Sequence, residues 1–371
     1  VFYLNSYNLY LITFGEILNL IFSSLAPSEV VNTPDFLMSM AYSGFVMNAC
    51  WKVFMIWHKR PLIDNFIRDL RAIFPHEEES QRSYHVDFYL RKCRSLSKLM
   101  SYWYFLAIWF FNLLALMKYE VTSKILEDPQ PVQELPYFIY TPWNWRNHWS
   151  YYLLYGMTSF AGHTSAMGTL SNDLLLYALI SQIIMHFDYV AKSMKGYKIK
   201  GRGEEIFGGV MENRKSDMEV VKYFIEYHSK LLSLSERLND IFGLLLFVHF
   251  ASASVVICLV GFLMTIGTSF LSLFKLLIFL LTMLIESALI CYSGQALMDA
   301  SLNVSTAVFT GDWLRSDVKC QKMLILMSKR AQRPAQLKAT TFIWISQETM
   351  AVLIQMSYKF FALLRTMYVK K

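Results

Sequence analysis

Seven blocks of apolar residues, separated by charged connections, constrain this chain more than any other feature. A membrane-spanning helix needs about 20 predominantly apolar residues. Such blocks occupy residues 9–25, 36–57, 99–117, 149–170, 242–264, 270–293 and 342–367. The composition agrees: 55% of the 371 residues are hydrophobic and 17% are charged, against roughly 45–50% and about 25% in soluble domains. The expected fold class is therefore an all-α integral membrane protein with seven transmembrane helices.

The connections orient the chain. Residues 58–98 carry nine Lys and Arg, 185–240 carry ten and 294–340 carry seven. The alternate connections at 26–35 and 265–269 carry none, and 118–148 carries three against four acids. Cytoplasmic loops hold the Lys and Arg excess, so the N-terminus is expected in the cytoplasm and the C-terminus outside. That is the reverse of a G-protein-coupled receptor, and no G protein is called for. The net charge of +7 is accounted for by topology, since the basic residues lie between apolar blocks; no nucleic-acid partner is expected. The sequon Asn303-Val304-Ser305 falls on the inner side and should stay unmodified.

Enzymatic chemistry finds no support. The sequence has no HExxH, GxSxG or P-loop motif and no paired carboxylates, so no catalytic residue is assigned. It has no CxxC and no His/Cys cluster, so no metal or cofactor is expected. None of Cys50, Cys93, Cys258, Cys291 and Cys320 lies in an outer segment, so no disulfide is expected either. No basic region precedes the first block and no small-residue cleavage site follows it, so no signal peptide is read at the start. A secondary transporter would tend to show inverted repeats and broken spans, and neither is visible.

Two helices are too long for the bilayer. The pattern from Trp149 continues without a break to Gly196, ~45 residues or roughly 70 Å, against a core of about 30 Å. Before the fifth block, Val221, Phe224, Ile225, His228, Leu231, Leu232 and Leu238 recur near the helical period among charged residues. Such an apolar stripe must bury against something, which points to a cytoplasmic helical anchor layer. The glycine-rich linker Lys195–Asp217 should be mobile. Residues Asp317–Arg330 read as a short inner helix that ends before Pro334. Three parts follow: 1–298 with six spans, 299–335 as an anchor segment and 336–371 as the last span.

The C-terminal third resembles the insect odorant receptor family. The matching residues are Ala307-Val308-Phe309, Trp313, the run from Met323 to Pro334, Thr340-Thr341-Phe342, and the closing Ser357–Arg365. Departures include Phe309 where Tyr is usual, Trp313-Leu314 for Trp-Tyr, and Thr349-Met350 for Thr-Phe. Gustatory receptors and the shared coreceptor end on Thr-Tyr, five residues, then Gln and an apolar residue. Here those positions read Ser357-Tyr358 and Leu364-Arg365, which favours an odour-tuned subunit. The resemblance implies a ligand-gated, non-selective cation channel in the plasma membrane of sensory neuron dendrites. It further implies a heterotetramer with the odorant receptor coreceptor, opened by a small volatile odorant and embedded in membrane lipid. A gustatory-type homotetrameric channel is the alternative.

The same resemblance locates the sites. The last span should line the pore through Ser357, Phe361, Leu364 and Arg365; the family places apolar gate residues at Phe361 and Arg365, and Gln at Leu364. The ligand pocket should be a largely apolar cavity in the outer half of the bundle. Its candidates are Phe45 and Asn48; Trp109, Phe110 and Leu113; Met157, Phe160, His163 and Thr164; and Phe262 and Met264. Glu16, Lys52, His163, Asp173, His249, Lys275 and Glu286 lie in or beside spans, where a charge costs roughly 2.5–3.5 kcal/mol on insertion scales; they should face the bundle or pair. Lys52 and Asp173 are near enough to the inner boundary to be interfacial. His163 would bond a ligand or a neighbouring helix. The loop 119–148, with Pro129, Pro131, Pro136, Pro142, Tyr137, Tyr140, Trp143 and Trp145, would form a lid or an interfacial anchor.

Overall fold

The structure, a computed structural model, describes residues 2–25, 33–124, 133–146, 148–197, 217–266, 270–340 and 343–369. Ten α-helices account for most of them: α1 (Phe2–Leu25), α2 (Thr33–His58), α3 (Arg60–Ile73), α4 (Glu78–Ser83), α5 (Val86–Lys124), α6 (Ser150–Gly196), α7 (Asp217–Leu263), α8 (Phe270–Thr310), α9 (Val318–Ala331) and α10 (Gln347–Val369). Four of these, α5 to α8, are long and apolar enough to cross a membrane. A shorter apolar stretch, Asn8–Ser23, lies in α1. The glycine-rich linker falls at 198–216, outside the described residues.

Helices α6, α7 and α8 form the axis of the bundle. Helix α2 packs on α7 and α6, α5 on α6 and α8, α1 on α2 and α6, and α10 on α7 and α8. The end bearing residues 133–146 is called the loop end below. The opposite end, where α6, α7 and α8 extend to meet α3 and α9, is the anchor end.

The largest core lies at the anchor end. The stripe read from the sequence is buried there: Val221, Phe224, His228, Leu231, Leu232 and Leu238. It packs against Ile183, Phe187 and Val190 of α6 and Leu297 and Val304 of α8. Helix α9 adds Leu324 and Met327, and α3 adds Ile63, Phe66 and Leu70. The stripe on α3 runs i, i+3, i+7 inside a segment otherwise polar enough to read as a loop. Extension beyond the bilayer is wider than the sequence suggested. Helix α8 continues to Thr310 because Leu297, Ala300, Val304 and Ala307 stay buried on one face, and α5 begins at Val86.

The last helix starts later than expected. Residues 337–339 and 343–345 pair antiparallel as the two arms of a short hairpin, with Ala339 N–H donating to Ile343 O (2.9 Å) and Ile345 N–H to Leu337 O (2.8 Å). Two side chains hold this hairpin to the bundle: Ser301 Oγ accepts from Ala335 N–H at 2.9 Å and Asn239 Oδ1 from Lys338 N–H at 2.9 Å. The hairpin fits against two glycines. A Cβ on Gly243 would lie 3.1 Å from Lys338 O, and one on Gly294 would collide with Ile345 O. Backbone groups withdrawn from water need partners, so this junction joins anchor and α10 through directed bonds.

Candidate functional site

Toward the loop end, α2, α5, α6 and α8 diverge around a cavity of about 50 Å³. Tyr42 and Phe45 come from α2, Ile108 and Phe111 from α5, Gly162 and Ala166 from α6, and Phe279 and Thr282 from α8. Tyr104 lies on the anchor side and Tyr137 enters from the loop. The aromatic rings interlock edge to face, with Tyr42 5.4 Å from Phe279 and 6.1 Å from Phe111, a preferred geometry for such pairs. Small residues on α6 make the room. A Cβ on Gly162 would collide with Tyr137, so glycine there is what lets the loop aromatic reach the cavity. Phe138 stacks on Tyr42 at 6.2 Å and Tyr140 on Phe22 at 4.3 Å. The described part of the loop, 133–146, thus packs into the bundle as a cover. Lys275 lies over the rings of Tyr42 (5.1 Å) and Phe111 (5.0 Å) and donates to Pro136 O at 3.3 Å.

The polar groups of the wall differ in commitment. Thr282 Oγ1 accepts from Trp103 Nε1 at 3.1 Å and donates to Ile278 O at 2.8 Å. Tyr104 OH donates to Glu286 Oε2 at 3.2 Å. Among the described residues the Tyr42 hydroxyl, buried on the cavity wall, has no hydrogen-bond partner.

Below Tyr104 sits a buried ion network. Lys52 Nζ lies 2.7 Å from Asp173 Oδ1 and 2.6 Å from Glu286 Oε1. His249 Nδ1 is 3.2 Å from Glu286 Oε1 and 3.3 Å from the Asn48 amide nitrogen. Ser287 Oγ is 3.4 Å from His249 Nε2. These residues belong to α2, α5, α6, α7 and α8, so one network ties five helices. Lys52 is 0% exposed and Asp173 5%; both are enclosed by the bundle. Interior pairing relieves the cost of charge at bilayer depth, which position along the sequence does not show. Glu16 on α1 is also buried, and neither of its carboxylate oxygens has a partner among the described residues.

Of the pocket residues expected from sequence, Phe45 lines this cavity. Asn48 lies one turn below, in the ion network. Trp109, Leu113 and Phe160 are exposed on the outside of the bundle. Phe110 packs on Phe274 at 5.2 Å. Met157 and His163 are half-buried and do not line the cavity. Thr164 donates to Phe160 O at 2.9 Å. Phe262 is buried against Tyr368, and Met264 packs on the loop-end core. Of the expected residues, the structure thus brings Phe45 alone to the wall of this cavity. On α6 the residues turned to the cavity are small, Gly162 and Ala166, whereas α5 presents Tyr104, Ile108 and Phe111 there and keeps Trp109 and Leu113 outside. A signal existed for Tyr42, which is one turn from Phe45.

On α10, Leu353 and Ser357 are buried toward the bundle and Leu364 packs on the same core. Ser357 Oγ donates to Leu353 O at 2.8 Å and approaches Ser254 O of α7 at 3.2 Å. Phe361 is half-buried beside this face and Arg365 is exposed. The opposite face carries Glu348, Gln355, Lys359 and Thr366, all exposed.

A bundle of long apolar helices around an aromatic cavity, extended into a second core, is the architecture of a multi-pass membrane protein. The chain belongs to the insect odorant receptor family: the profile described as "7tm Odorant receptor" matches residues 32–358. It is thus a multi-pass membrane receptor and not an enzyme. It is 38% identical to odorant receptor 85c of Drosophila melanogaster over 370 residues, covering 100% of this chain and 91% of that protein. With odorant receptor 85b of the same species it shares 36% over 372 residues, covering 98% and 93%. The fold is similar to that of the olfactory receptor OR5 from Machilis hrabei in complex with eugenol, with a TM-score of 0.78, 12% identity and coverage of 98% of this chain and 88% of that one.

Proposed function

We propose that this chain is the odour-binding subunit of a ligand-gated, non-selective cation channel, assembled with the odorant receptor coreceptor. On this reading it has seven spans, with α1, α2 and α10 completing the set, and the N-terminus lies in the cytoplasm of sensory neuron dendrites. Residues 1–298 sense, 299–335 anchor and 336–371 supply the pore helix. Charge placement supports the orientation, since the described parts of the basic connections lie at the anchor end.

The observation that carries the proposal is the cavity. Its walls are aromatic and aliphatic, and the Tyr42 hydroxyl, without a partner among the described residues, is available to recognise a ligand. This suits a small, mostly apolar volatile with a single acceptor group, such as a ketone or ester. The eugenol complex of the Machilis receptor, a small aromatic volatile in the same fold, is in keeping with this class. The space of about 50 Å³ corresponds to a few waters at roughly 10–15 Å³ each. Ligand entry must therefore displace a wall, and Tyr137, seated at Gly162, is the wall borne on a loop. Pore lining falls to the face of α10 turned away from its own bundle, with Phe361 and Arg365 at its edge and Ser357 and Leu364 as its inner support. Rings of exposed apolar residues such as Val352 and Leu363 can gate by dewetting.

Coexpression with the coreceptor and an odour panel tests the reading: cation current should appear with some apolar volatile. Tyr42→Phe should then raise the half-maximal concentration for an oxygenated ligand by about ten-fold, the worth of one buried hydrogen bond, and leave a hydrocarbon analogue unchanged. Silence with the coreceptor and current with tastants in its absence would favour the gustatory-type homotetramer.

A further inference from the structure

Helices α5 and α8 part toward the anchor end, leaving a crevice floored by Tyr177 of α6. Its half nearer the loop end is apolar, about 560 Å³, walled by Leu96, Leu99 and Met100 of α5 and by Ile285, Ala288 and Leu289 of α8. The other half, about 290 Å³, is mixed: Ser181, Asp188, Ser293, Asp299 and Asn303 stand in its wall beside Phe88, Ile180, Ile184 and Ala296. Lys92, Tyr177 and Tyr292 line both halves. At the neck, Lys92 Nζ lies 3.3 Å from Tyr292 OH and 5.5 Å from the centre of its ring.

The neck coincides with the edge of the apolar belt. On α5 the run from Leu90 to Lys98 holds Arg91, Lys92, Arg94 and Lys98, and beyond it Leu99, Tyr102, Phe105 and Leu106 are exposed. On α8 the apolar block ends at Ser293, next to Tyr292. A crevice that is apolar on the membrane side and gathers its polar and charged groups past the boundary has the polarity profile of a lipid.

We propose that this crevice binds one zwitterionic glycerophospholipid of the leaflet at the anchor end. An acyl chain fills the apolar half, the phosphate meets Lys92 and Tyr292 at the neck, and the terminal ammonium points to Asp299 in the mixed half. The charges select this class. Lys92 is the cation of the lining and needs a phosphate, which a sterol does not offer. Beyond it stand two carboxylates: Asp188, which accepts from Tyr89 OH, and Asp299, which accepts from Gln295 at 2.9 Å. An anionic headgroup terminus would face both; an ammonium complements them. Among ammonium headgroups, a primary amine can also hydrogen-bond Asp299, so phosphatidylethanolamine is the committed occupant. The site is separate from the odour cavity, although Ile285 and Leu289 flank Glu286 on α8, so a bound lipid braces the ion network from behind.

The test uses the full-length receptor purified in detergent and offered phosphatidylethanolamine, phosphatidylglycerol or phosphatidylserine, with lipid retained per chain read by native mass spectrometry. Phosphatidylethanolamine should be retained at one per chain in preference to the other two. Lys92→Gln should lower its retention about five-fold, the worth of one basic residue at a lipid surface. Asp299→Asn should erase the preference over phosphatidylglycerol. Ala288→Trp, which adds bulk at an exposed groove position, should remove retention of every lipid. Equal retention by the wild type, Lys92→Gln and Ala288→Trp would overturn the site. An anionic preference in the wild type, or a preference that survives Asp299→Asn, would overturn the assigned headgroup. No odorant or current enters this measurement, so its failure is distinct from failure of the channel reading.

Discussion

Replacing Lys52 by Met tests whether the buried ion network holds the bundle together. Two effects oppose each other. Inserting α2 alone favours Met, because Lys at the bilayer centre costs roughly 2.5–3.5 kcal/mol. That gain accrues to the inserted helix whether or not the bundle is packed, so it cancels from the folding equilibrium. In the packed bundle, Lys52 Nζ is 2.7 Å from Asp173 and 2.6 Å from Glu286, and all three residues are buried. Removing one partner of a buried pair costs about 3–5 kcal/mol because the other charge stays uncompensated. Here two carboxylates lose the same cation. Glu286 keeps Tyr104 and His249, which limits the loss, so Lys52→Met should cost on the order of 4 kcal/mol. With an unfolding entropy of about 2.1 cal/mol/K per residue, that is roughly 5 °C in a chain of this length. The readout is thermal unfolding of the detergent-solubilised receptor followed by a thiol-reactive dye, since Cys50, Cys258, Cys291 and Cys320 are buried. Lys52→Met combined with Asp173→Asn and Glu286→Gln should recover most of the loss by removing the orphaned charges. A Lys52→Met receptor that melts at or above the wild-type temperature would refute the reasoning.

Three further outcomes are expected. Gly294→Ala should push Ile345 O out of its seat and destabilise the anchor-to-α10 junction by about 1–3 kcal/mol, visible in the same melting assay, while Gly156→Ala, at a position with open space around it, should be neutral. Burial holds His186 and His228 in the anchor down at about 4. Both are neutral when folded and take up protons when unfolded, so stability should fall as pH drops from about 6.5 toward 4, by on the order of 2 kcal/mol per histidine; His186→Gln should flatten the pH–melting profile. In the assembled channel, Lys359→Cys should react with a water-soluble thiol reagent during opening and Ser357→Cys should not, because Ser357 is buried toward α7; equal labelling would reverse the assignment of the two faces of α10.

The ion network also links cavity to anchor. Tyr104 lines the cavity and bonds Glu286, and Glu286 shares Lys52 with Asp173 on α6. Helix α6 then runs on into the anchor core, whose hairpin leads to α10. A displacement of Tyr104 would therefore act on a charge cluster spanning five helices. Buried charge clusters resist small shifts, because separating a pair leaves each charge unpaired at low dielectric.

The sequence by itself determined the all-helical class and the places of the main apolar helices, but not α3, the inward extensions of α5 and α8, or the late start of α10. Apolar blocks, basic connections and the stripe from Val221 to Leu238 placed α6, α7 and α9 within a few residues, because bilayer thickness and helical period act locally along the chain. It also marked Lys52, Asp173, His249 and Glu286 as ionisable groups in or beside spans, but left Lys52 and Asp173 readable as interfacial. What it did not contain was rotation. Whether Trp109 or Phe111 faces inward depends on where α8 lies relative to α5, and membrane helices bury small and large residues alike, so hydrophobicity does not mark the inner face. The same holds for α10, where family resemblance marked positions 357–365 and packing against α7 decided that Ser357 turns inward. Tertiary structure alone brought Tyr42, Tyr104 and Tyr137 to one cavity and four ionisable groups from four helices to one point. Those groups lie far apart in sequence, and only the packed bundle sets the distances between them.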